Sequence, residues 1–443
     1  VAAITPRVVL AVPAFHALRV LARRPFATAE VLITSGRRWF WGGRRLRDCL
    51  ADRADFMPEP VTECDECYRP FTSGATGSAK GVFYTHGMVQ AQVSLMREVC
   101  GWHAGMKVVM CFAPFVPYAL ADGLTAILPD MDFSRPATAK PQRVIEAVTT
   151  HGAECAFGSP IIWMNLVRYC EKDRVALPTL RYAVASGAPI QPGLHRRLGS
   201  LMHEKGRLYT PYGATEAMPI TTTDTAALAP TWPQTRSGYG TCVGNPLTGV
   251  EVQVIRITDE PLPAWSDDLR VPQGVIGELV VAGAMVSPSY PGRPQETERT
   301  KILRDGQVLH RTGDLARMDA EGRVWFCGRK SHRIETRAGM LAPVPLENIF
   351  NEHPSVFRTA LVGVGRPGSQ TPVACIELER GERFSPRLEA ELMTLADATC
   401  FKDVITHFLP HPGFPVDARH NSKIRREELA SWAARKLSRH REA

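Results

Sequence analysis

Three short apolar runs separated by helical patterns constrain this chain most. "KVVMCFAPF" (Lys107 to Phe115), "AECAFGSP" (Ala153 to Pro160) and "RYAVASGAP" (Arg181 to Pro189) read as buried strands that end in turns. Gln142 to His151, Ile161 to Glu171 and Gln191 to Lys205 carry apolar residues at three- and four-residue spacing and read as helices. Such alternation predicts an α/β domain with a largely parallel sheet, whose ligand sits at the C-terminal strand ends. From Cys242 the texture changes. "VEVQVIRI", "GVIGELVVAG", "QVLHRTGD" and "RVWFCGRK" are short strands with Gly or Asp turns, an antiparallel β unit. After Gly328-Arg329 a second α/β stretch begins, with strands "TALVGVG" and "PVACIELER" and helices over Arg387 to Thr399 and Lys423 to Lys436. A boundary is therefore expected between a 1–328 domain and a 329–443 domain. Thr221 to Gly240 reads as a long polar loop.

Composition narrows the class. With 44% apolar and 22% charged residues over 443 positions, the chain is neither disordered, collagenous nor a coiled coil. The net charge of +8 does not make a nucleic-acid binder, because the basic runs Arg419 to Arg426 and Arg435 to Arg441 lack interleaved aromatics. A phosphate-bearing small ligand would profit from the same field. The 11 cysteines form no framework; Cys64 and Cys67 are a lone C-x-x-C pair, so reduced thiols and a cytoplasmic setting are expected. Val8 to Leu21 is apolar but is broken by Pro13 and His16, so no transmembrane segment is expected.

Four stretches could carry chemistry. "FTSGATGSAKG" (Phe71 to Gly81) packs glycines, which admit a phosphate close to the backbone, with donor hydroxyls and Lys80. It is not a G-x-x-x-x-G-K-[ST] loop, and a plain Gly/Ser turn is its bland alternative. "YGATEAMP" (Tyr212 to Pro219) offers a stacking face, a hydroxyl on Thr215 and a carboxylate on Glu216; the alternative is a helix cap. Asp314, after Thr312-Gly313, could accept from two ribose hydroxyls or be an ordinary hairpin aspartate. Lys423 falls at an expected helix start, against the dipole preference, or is merely solvated. "GVGRPG" (Gly363 to Gly368) fits a dinucleotide-loop pattern, but a strand rather than a helix is expected to follow it. Neither an H-E-x-x-H nor a G-x-S-x-G motif occurs.

In their order along the chain these stretches resemble the adenylate-forming, AMP-binding superfamily of acyl-CoA synthetases, peptide-synthetase adenylation domains and luciferases. Phe71 to Gly81 resembles its phosphate loop, "ASGAP" (Ala185 to Pro189) its adenine-side strand end, and Tyr212 to Glu216 its YGxTE motif. Thr312 to Asp314 resembles its TGD, and Gly328-Arg329 its hinge region. The resemblance implies a large N-terminal domain, with a parallel α/β sheet and a β-barrel-like part, and a small mobile α+β domain carrying Lys423. It implies ATP and Mg²⁺. Thr72, Ser73, Gly74, Thr76, Gly77 and Lys80 would hold the terminal phosphates. Gly187, Ala188, Pro189, Tyr212 and Gly213 would border the nucleotide, and Asp314 with Arg329 the ribose. Lys423, Thr215 and Glu216 would be catalytic, with Glu216 on the metal.

A narrower resemblance, through "RRWFWGG", "PDMDFSRPA", "GTCVGNP", "WFCGRK" and "RHNSKIRREEL", is to the olefin β-lactone synthetases. It implies adenylation of a long-chain β-hydroxy acid, closure to a β-lactone, and other enzymes of an olefin pathway as partners. A long-chain fatty acyl-CoA ligase acting on a fatty acid is the alternative, and an inactive truncated AMP-binding protein a second. Ala75, Ser331 and Ser422 depart from the superfamily pattern, and Ile334 to Asn348 follows the CoA-tunnel segment only loosely. His420 is a tempting general base beside Lys423, though a role in fixing that loop is favoured. In the superfamily the phosphate loop lies much further into the chain, so Ser73 at position 73, after a first residue Val1, suggests that a front portion of the N-terminal domain is missing.

Overall fold

The computed structural model describes residues 4–50, 57–72, 79–187, 190, 192–416 and 423–442. The chain divides into two units, Val1–Thr62 and Glu63–Ala443. In the first, strands Val8–Ala11, Val31–Thr34 and Arg44–Arg45 form a parallel sheet in that order. The helix Pro13–Leu21, with proline preset at its first turn, links the first two strands. His16 is buried and its Nε2 lies 3.0 Å from the Ile33 carbonyl oxygen, while Trp41 donates to Thr34 Oγ1 at 3.0 Å. Parallel sheets normally have both faces covered. Here Val9 is buried, but Val8, Leu10 and Val12 are exposed, and Leu21 and Phe40 are 86% and 76% exposed.

The second unit contains the five-stranded parallel sheet that the alternation predicts, ordered Arg207–Tyr209, Tyr182–Ala185, Cys155–Gly158, Lys107–Met110, Thr125–Ile127. Its strands alternate with period two between two cores. Val109, Ala156 and Ala183 point to one, which is covered by the helices Pro141–His151, Pro160–Asp173 and Pro192–Gly199. Val108, Met110, Cys155, Phe157 and Val184 point to the other, shared with helix His86–Cys100 and with Val252, Val254, Leu279 and Val281 of a second sheet. Each of the three covering helices has proline at its start. The expected helix over Gln191 to Lys205 is shorter, Pro192–Gly199.

The second sheet is antiparallel, as the strand-rich texture predicts. Its order is Tyr212–Ala214, Ala217–Thr222, Thr241–Pro246, Val324–Arg329, Gln307–Met318, Gly277–Ala282, Glu251–Ile255, with Lys301–Arg304 pairing Gln307–Met318. The stretch from Thr221 to Gly240 is not a loop. It continues a strand and then forms the helices Thr225–Leu228 and Trp232–Arg236, the first capped by Asp224, which accepts from the Ala226 and Ala227 amides at 2.7 and 3.0 Å.

Beyond residue 333 a hairpin, Val356–Val364 with Thr371–Leu378, is extended in parallel by Phe408–Pro410 and flanked by Pro343–Phe350, Pro386–Asp397 and Arg426–Glu442. "GVGRPG" lies at this hairpin's turn, not on a strand-to-helix junction. Two core clusters draw only on residues from Ile334 onward. The expected boundary at 328/329 falls inside the second unit, where one further cluster joins Leu315 and Cys327 to Ala342. Helix Pro343–Phe350 packs on Trp232–Arg236, and Asn348 Nδ2 donates to Thr241 Oγ1 at 3.0 Å. No helix among the described residues is long and apolar enough to cross a membrane.

The bare apolar face of the first unit predicts that the purified 1–443 chain binds an apolar dye such as ANS and self-associates. Leu10→Gln with Val12→Thr should reduce both, at a stability change of about 0.5 kcal/mol or less because the positions are exposed. Dye titration, light scattering and thermal melts check this.

Candidate active site

Asp314 is aimed by a β-bulge, not by a tight turn. On strand Gln307–Met318, Arg311 pairs Val280 and Leu315 pairs Glu278, so residues 312–314 face Leu279 alone. Gly313 takes φ +69°, a conformation glycine adopts without strain. Thr312 Oγ1 donates to the Leu279 carbonyl at 3.0 Å and accepts from the Asp314 amide at 3.1 Å. On the neighbouring strand Arg329 is the register partner of Asp314. Its Nη1 comes 2.8 Å from Oδ1 and donates to the Thr312 carbonyl at 3.0 Å. Tyr212 Oη donates to Asp314 Oδ2 at 2.5 Å. Burial raises the Asp314 pKa, and Arg329 and Tyr212 pull it back. The Arg329 guanidinium therefore faces Oδ1 while Tyr212 holds Oδ2, so both carboxylate oxygens have a partner. A carboxylate fixed in this way has further lone pairs that could accept from a ribose hydroxyl.

Thr215 and Glu216 form the two-residue turn of a hairpin, with Ala214 opposite Ala217; they do not cap a helix. Gly213 is required there, since a Cβ would meet the Ala217 carbonyl oxygen at 2.9 Å. Tyr84 donates its hydroxyl to the Thr215 carbonyl, Tyr290 donates to Glu216 Oε1, and the Ser287 amide donates to the Glu216 carbonyl at 2.8 Å. A half-buried carboxylate of this kind is an oxygen donor suited to a hard divalent cation.

The phosphate-loop stretch is bracketed by a short pairing, Phe71–Thr72 with Lys80–Gly81, in which Thr72 faces Lys80. Ser73, Gly74, Thr76 and Gly77 lie outside the described residues, as do Ala188, Pro189 and His420. Lys80 Nζ pairs with Glu296 Oε2 at 2.5 Å and lies 5.5 Å from the Tyr290 ring centroid. Lys80 and Glu216 thus meet at the same tyrosine. Gly187, two residues past the strand Tyr182–Ala185, has φ +97°.

Lys423 is exposed and precedes its helix, which begins at Arg426; the neighbouring Ile424 bridges Val416. Arg426 donates to Glu347 at 2.5 and 2.9 Å and to the Leu361 carbonyl at 2.9 Å, fixing the helix start. His332, in the short turn Lys330–His332, lies 3.7 Å from Glu427. Burial, then Arg426 and Arg329, push its pKa down to about 3, so the ring is neutral.

The motif reading missed Tyr84, Tyr290, Lys301 and His310. Lys301 is 7% exposed; its Nζ donates to the Ser287 carbonyl at 2.5 Å and sits 3.1 Å from His310 Nδ1. Burial pushes its pKa down to about 7, with Glu216 opposing. A signal for the pair exists in the sequence. Asp305-Gly306 is a two-residue hairpin turn with both φ values positive, and counting outward from it places Lys301 opposite His310.

Since the folded pKa of Lys301 lies below its ordinary value of 10.5, the unfolded chain binds the extra proton between about pH 7 and 10.5. Lys301 therefore lowers stability most below pH 7, and the penalty is relieved as pH rises through that window. Lys301→Met should melt higher than the parent at pH 7 and lose that part of the rise towards pH 10, read by thermal melts across pH.

The family model "AMP-binding enzyme" matches residues 3–291. The chain is 41% identical over 441 residues to the olefin beta-lactone synthetase of Stenotrophomonas maltophilia strain K279a, covering 98% of this chain and 79% of that protein. It is 41% identical over 439 residues to the olefin beta-lactone synthetase of Xanthomonas campestris pv. campestris, covering 97% and 78%. Among solved structures, the amide bond synthetase McbA of Marinactinospora thermotolerans aligns with a TM-score of 0.76 at 23% identity, covering 96% of this chain and 80% of that one. The anthranilate CoA ligase AuaEII in complex with anthranoyl-AMP aligns at 0.78 and 17%, covering 99% and 80%. The alternating α/β sheet, the antiparallel sheet holding Asp314 and Arg329, and the matched family model together make this chain a member of the AMP-binding, adenylate-forming ligase family.

Proposed function

We propose that the protein adenylates a long-chain β-hydroxy carboxylic acid with ATP and closes the acyl-adenylate to a β-lactone, releasing pyrophosphate and then AMP. The observation that carries this reading is the 41% identity to olefin beta-lactone synthetases over 98% of the chain. Reduced thiols suit a cytoplasmic enzyme; all eleven cysteines are free.

In the first step a carboxylate oxygen attacks the α-phosphorus of ATP and pyrophosphate leaves. Positioning and charge stabilisation are what the protein supplies. Thr72, Ser73, Gly74, Thr76, Gly77 and Lys80 hold the β- and γ-phosphates. Gly187, Ala188, Pro189, Tyr212 and Gly213 border the adenine, and Asp314, ion-paired with Arg329, takes a ribose hydroxyl. Thr215 contacts the α-phosphate. Glu216 would hold Mg²⁺, which would supply neutralising charge to the phosphates. Lys423 bridges the carboxylate and the α-phosphate, carried by a 329–443 domain that swings about Gly328-Arg329 between steps. In the second step the oxygen of the substrate's own β-hydroxyl attacks the acyl carbonyl, the bond from that carbon to the phosphate oxygen breaks, AMP leaves, and the hydroxyl proton passes to water. An internal nucleophile needs orientation rather than a channel.

Lys423→Ala should lower ATP–pyrophosphate exchange by orders of magnitude, since a charge aimed at the transition state is worth several kcal/mol, while weakening ATP binding far less. Survival of exchange removes Lys423 from the mechanism. The product is tested with a 2-alkyl-3-hydroxy long-chain acid, ATP and Mg²⁺ without CoA, followed by NMR. Ring protons of a four-membered lactone should appear in step with AMP, and a 3-deoxy acid should stall at the adenylate. Turnover that requires CoA and yields a thioester selects a fatty acyl-CoA ligase instead.

A further inference from the structure

The segment from Ser287 to Glu296 reaches both the Thr215-Glu216 turn and the end of the phosphate-loop stretch. Backbone bonds fasten it to each. The Ser287 amide donates to the Glu216 carbonyl at 2.8 Å, and the Phe83 amide, just past Lys80, donates to the Ser289 carbonyl at 3.4 Å. Side chains then span the same two places. Tyr290 donates its hydroxyl to Glu216 Oε1, and Glu296 Oε2 receives Lys80 Nζ at 2.5 Å. Tyr290 itself is held firmly. It is 5% exposed, and its ring packs with Val82, Tyr84 and Met88. Its amide donates to Thr297 Oγ1 at 3.0 Å, and its carbonyl accepts from the Arg293 amide at 3.0 Å, where the chain turns into the helix Pro294–Thr300.

The groups that Tyr290 brings together meet solvent. Glu216 is half-buried, and the side chains of Lys80 and Glu296 are 24% and 32% exposed. Lys80 and Glu216 carry opposite charges at one ring, and a direct ion pair between them would occupy both. Among the described residues they do not pair: Lys80 goes to Glu296, and Glu216 goes to a neutral phenol. A neutral donor fixes a carboxylate without cancelling its charge. Glu216 Oε1 is the oxygen so held, and no hydrogen bond from the described residues goes to Oε2. A carboxylate free to rotate loses that freedom when it binds a cation, at a cost in entropy. One whose first oxygen is already anchored presents the second in a set direction, and such anchoring is what orients carboxylate ligands in metal sites.

We propose that Tyr290 is a positioning residue for adenylation: its hydroxyl holds Glu216 Oε1 so that Oε2 is directed to the divalent cation that accompanies ATP. The inference rests on the assignment of Glu216 to Mg²⁺ above. Tyr290 touches neither substrate nor metal and acts through Glu216 alone. Its ring, 5.5 Å from Lys80 Nζ, keeps the phosphate-binding ammonium on the flank of the same phenol, so the lysine and the carboxylate keep a fixed spacing. A hydroxyl that served only to complete the packing of this segment would affect stability and nucleotide binding alike, with or without metal. A hydroxyl that aims Glu216 affects the part of nucleotide binding that depends on Mg²⁺.

The experiment follows the binding of α,β-methylene-ATP, which cannot be cleaved at the bond that adenylation breaks, by calorimetry in EDTA and over a range of Mg²⁺ concentrations, with thermal melts of each variant. In the parent, Mg²⁺ should tighten binding. Tyr290→Phe keeps the ring and its packing and loses the hydroxyl. It should raise the Mg²⁺ concentration needed for half of that tightening by about 10- to 100-fold, the usual effect of removing a hydrogen-bond partner from a metal ligand. Its affinity in EDTA should stay at the parent value. Glu216→Asp, whose carboxylate is one methylene too short to meet the Tyr290 hydroxyl, should show a similar rise, and it carries the test if Tyr290→Phe fails to fold. A Mg²⁺ requirement that stays at the parent value, or an affinity that falls equally with and without Mg²⁺, overturns the proposal. Mg²⁺-dependent binding in the parent that Tyr290→Phe reproduces refutes this inference alone. Parent binding that ignores Mg²⁺, or full tightening retained in Glu216→Gln, refutes the metal assignment and this inference with it.

Discussion

Asp314 reaches its site because three residues of one strand, 312–314, face a single residue, Leu279, of the next. Without the bulge, regular alternation would set a different side chain at that point of the sheet. The bulge also fixes what surrounds the carboxylate. Arg329 arrives by register on one side, and Tyr212, from the far edge of the same sheet order, on the other. Both compensate a carboxylate that burial alone would drive towards its protonated form.

The same two strands carry a second ionic cluster. Glu278 is 1% exposed at its side chain and receives Arg311 Nη2 at 2.6 Å and Lys330 Nζ at 3.0 Å. Arg311 is three residues before Asp314, and Lys330 directly follows Arg329. The remaining guanidinium protons go to the Thr258, Glu260 and Arg299 carbonyls. A buried ion group is weak support for stability, because desolvation offsets most of its attraction, but removing one partner strands the others. Its effect here is geometric. The chain leaving the large sheet at Arg329 is tied to that sheet at Lys330, and again at Arg333, whose Nη2 lies 2.5 Å from Asp259.

Tyrosines do the corresponding work at the Thr215-Glu216 turn. Two residues of hairpin have few bonds of their own, and Tyr84 and Tyr290 each take one oxygen of that turn from behind. Burial raises both phenols far above their ordinary range, so they act as fixed donors. Lys80 and Lys301 lie 5.5 and 5.7 Å from the Tyr290 ring centroid, so two lysines gather at the phenol that donates to Glu216.

Local patterns were enough to read the layered fold. Strand–helix alternation from 107 to 205 specified a parallel sheet, since period-two and period-3.6 apolar spacings can bury their faces in few ways. The decoy "GVGRPG" could be set aside because a strand follows it. The bulge at Asp314, the hairpin at Thr215-Glu216 and the helices between Thr221 and Gly240 were not legible, because each is decided by what packs against the segment and not by the segment itself. Thr225–Leu228, for example, buries Leu228 in a cluster with Cys242 and Trp325. The ordered motifs determined which residues to gather: Asp314, Arg329, Tyr212, Glu216, Lys80. Only the tertiary structure decided that Tyr84, Tyr290 and Lys301 stand behind them. These residues belong to no local motif, and their partners lie up to 131 positions away in the chain, a distance that only packing can close.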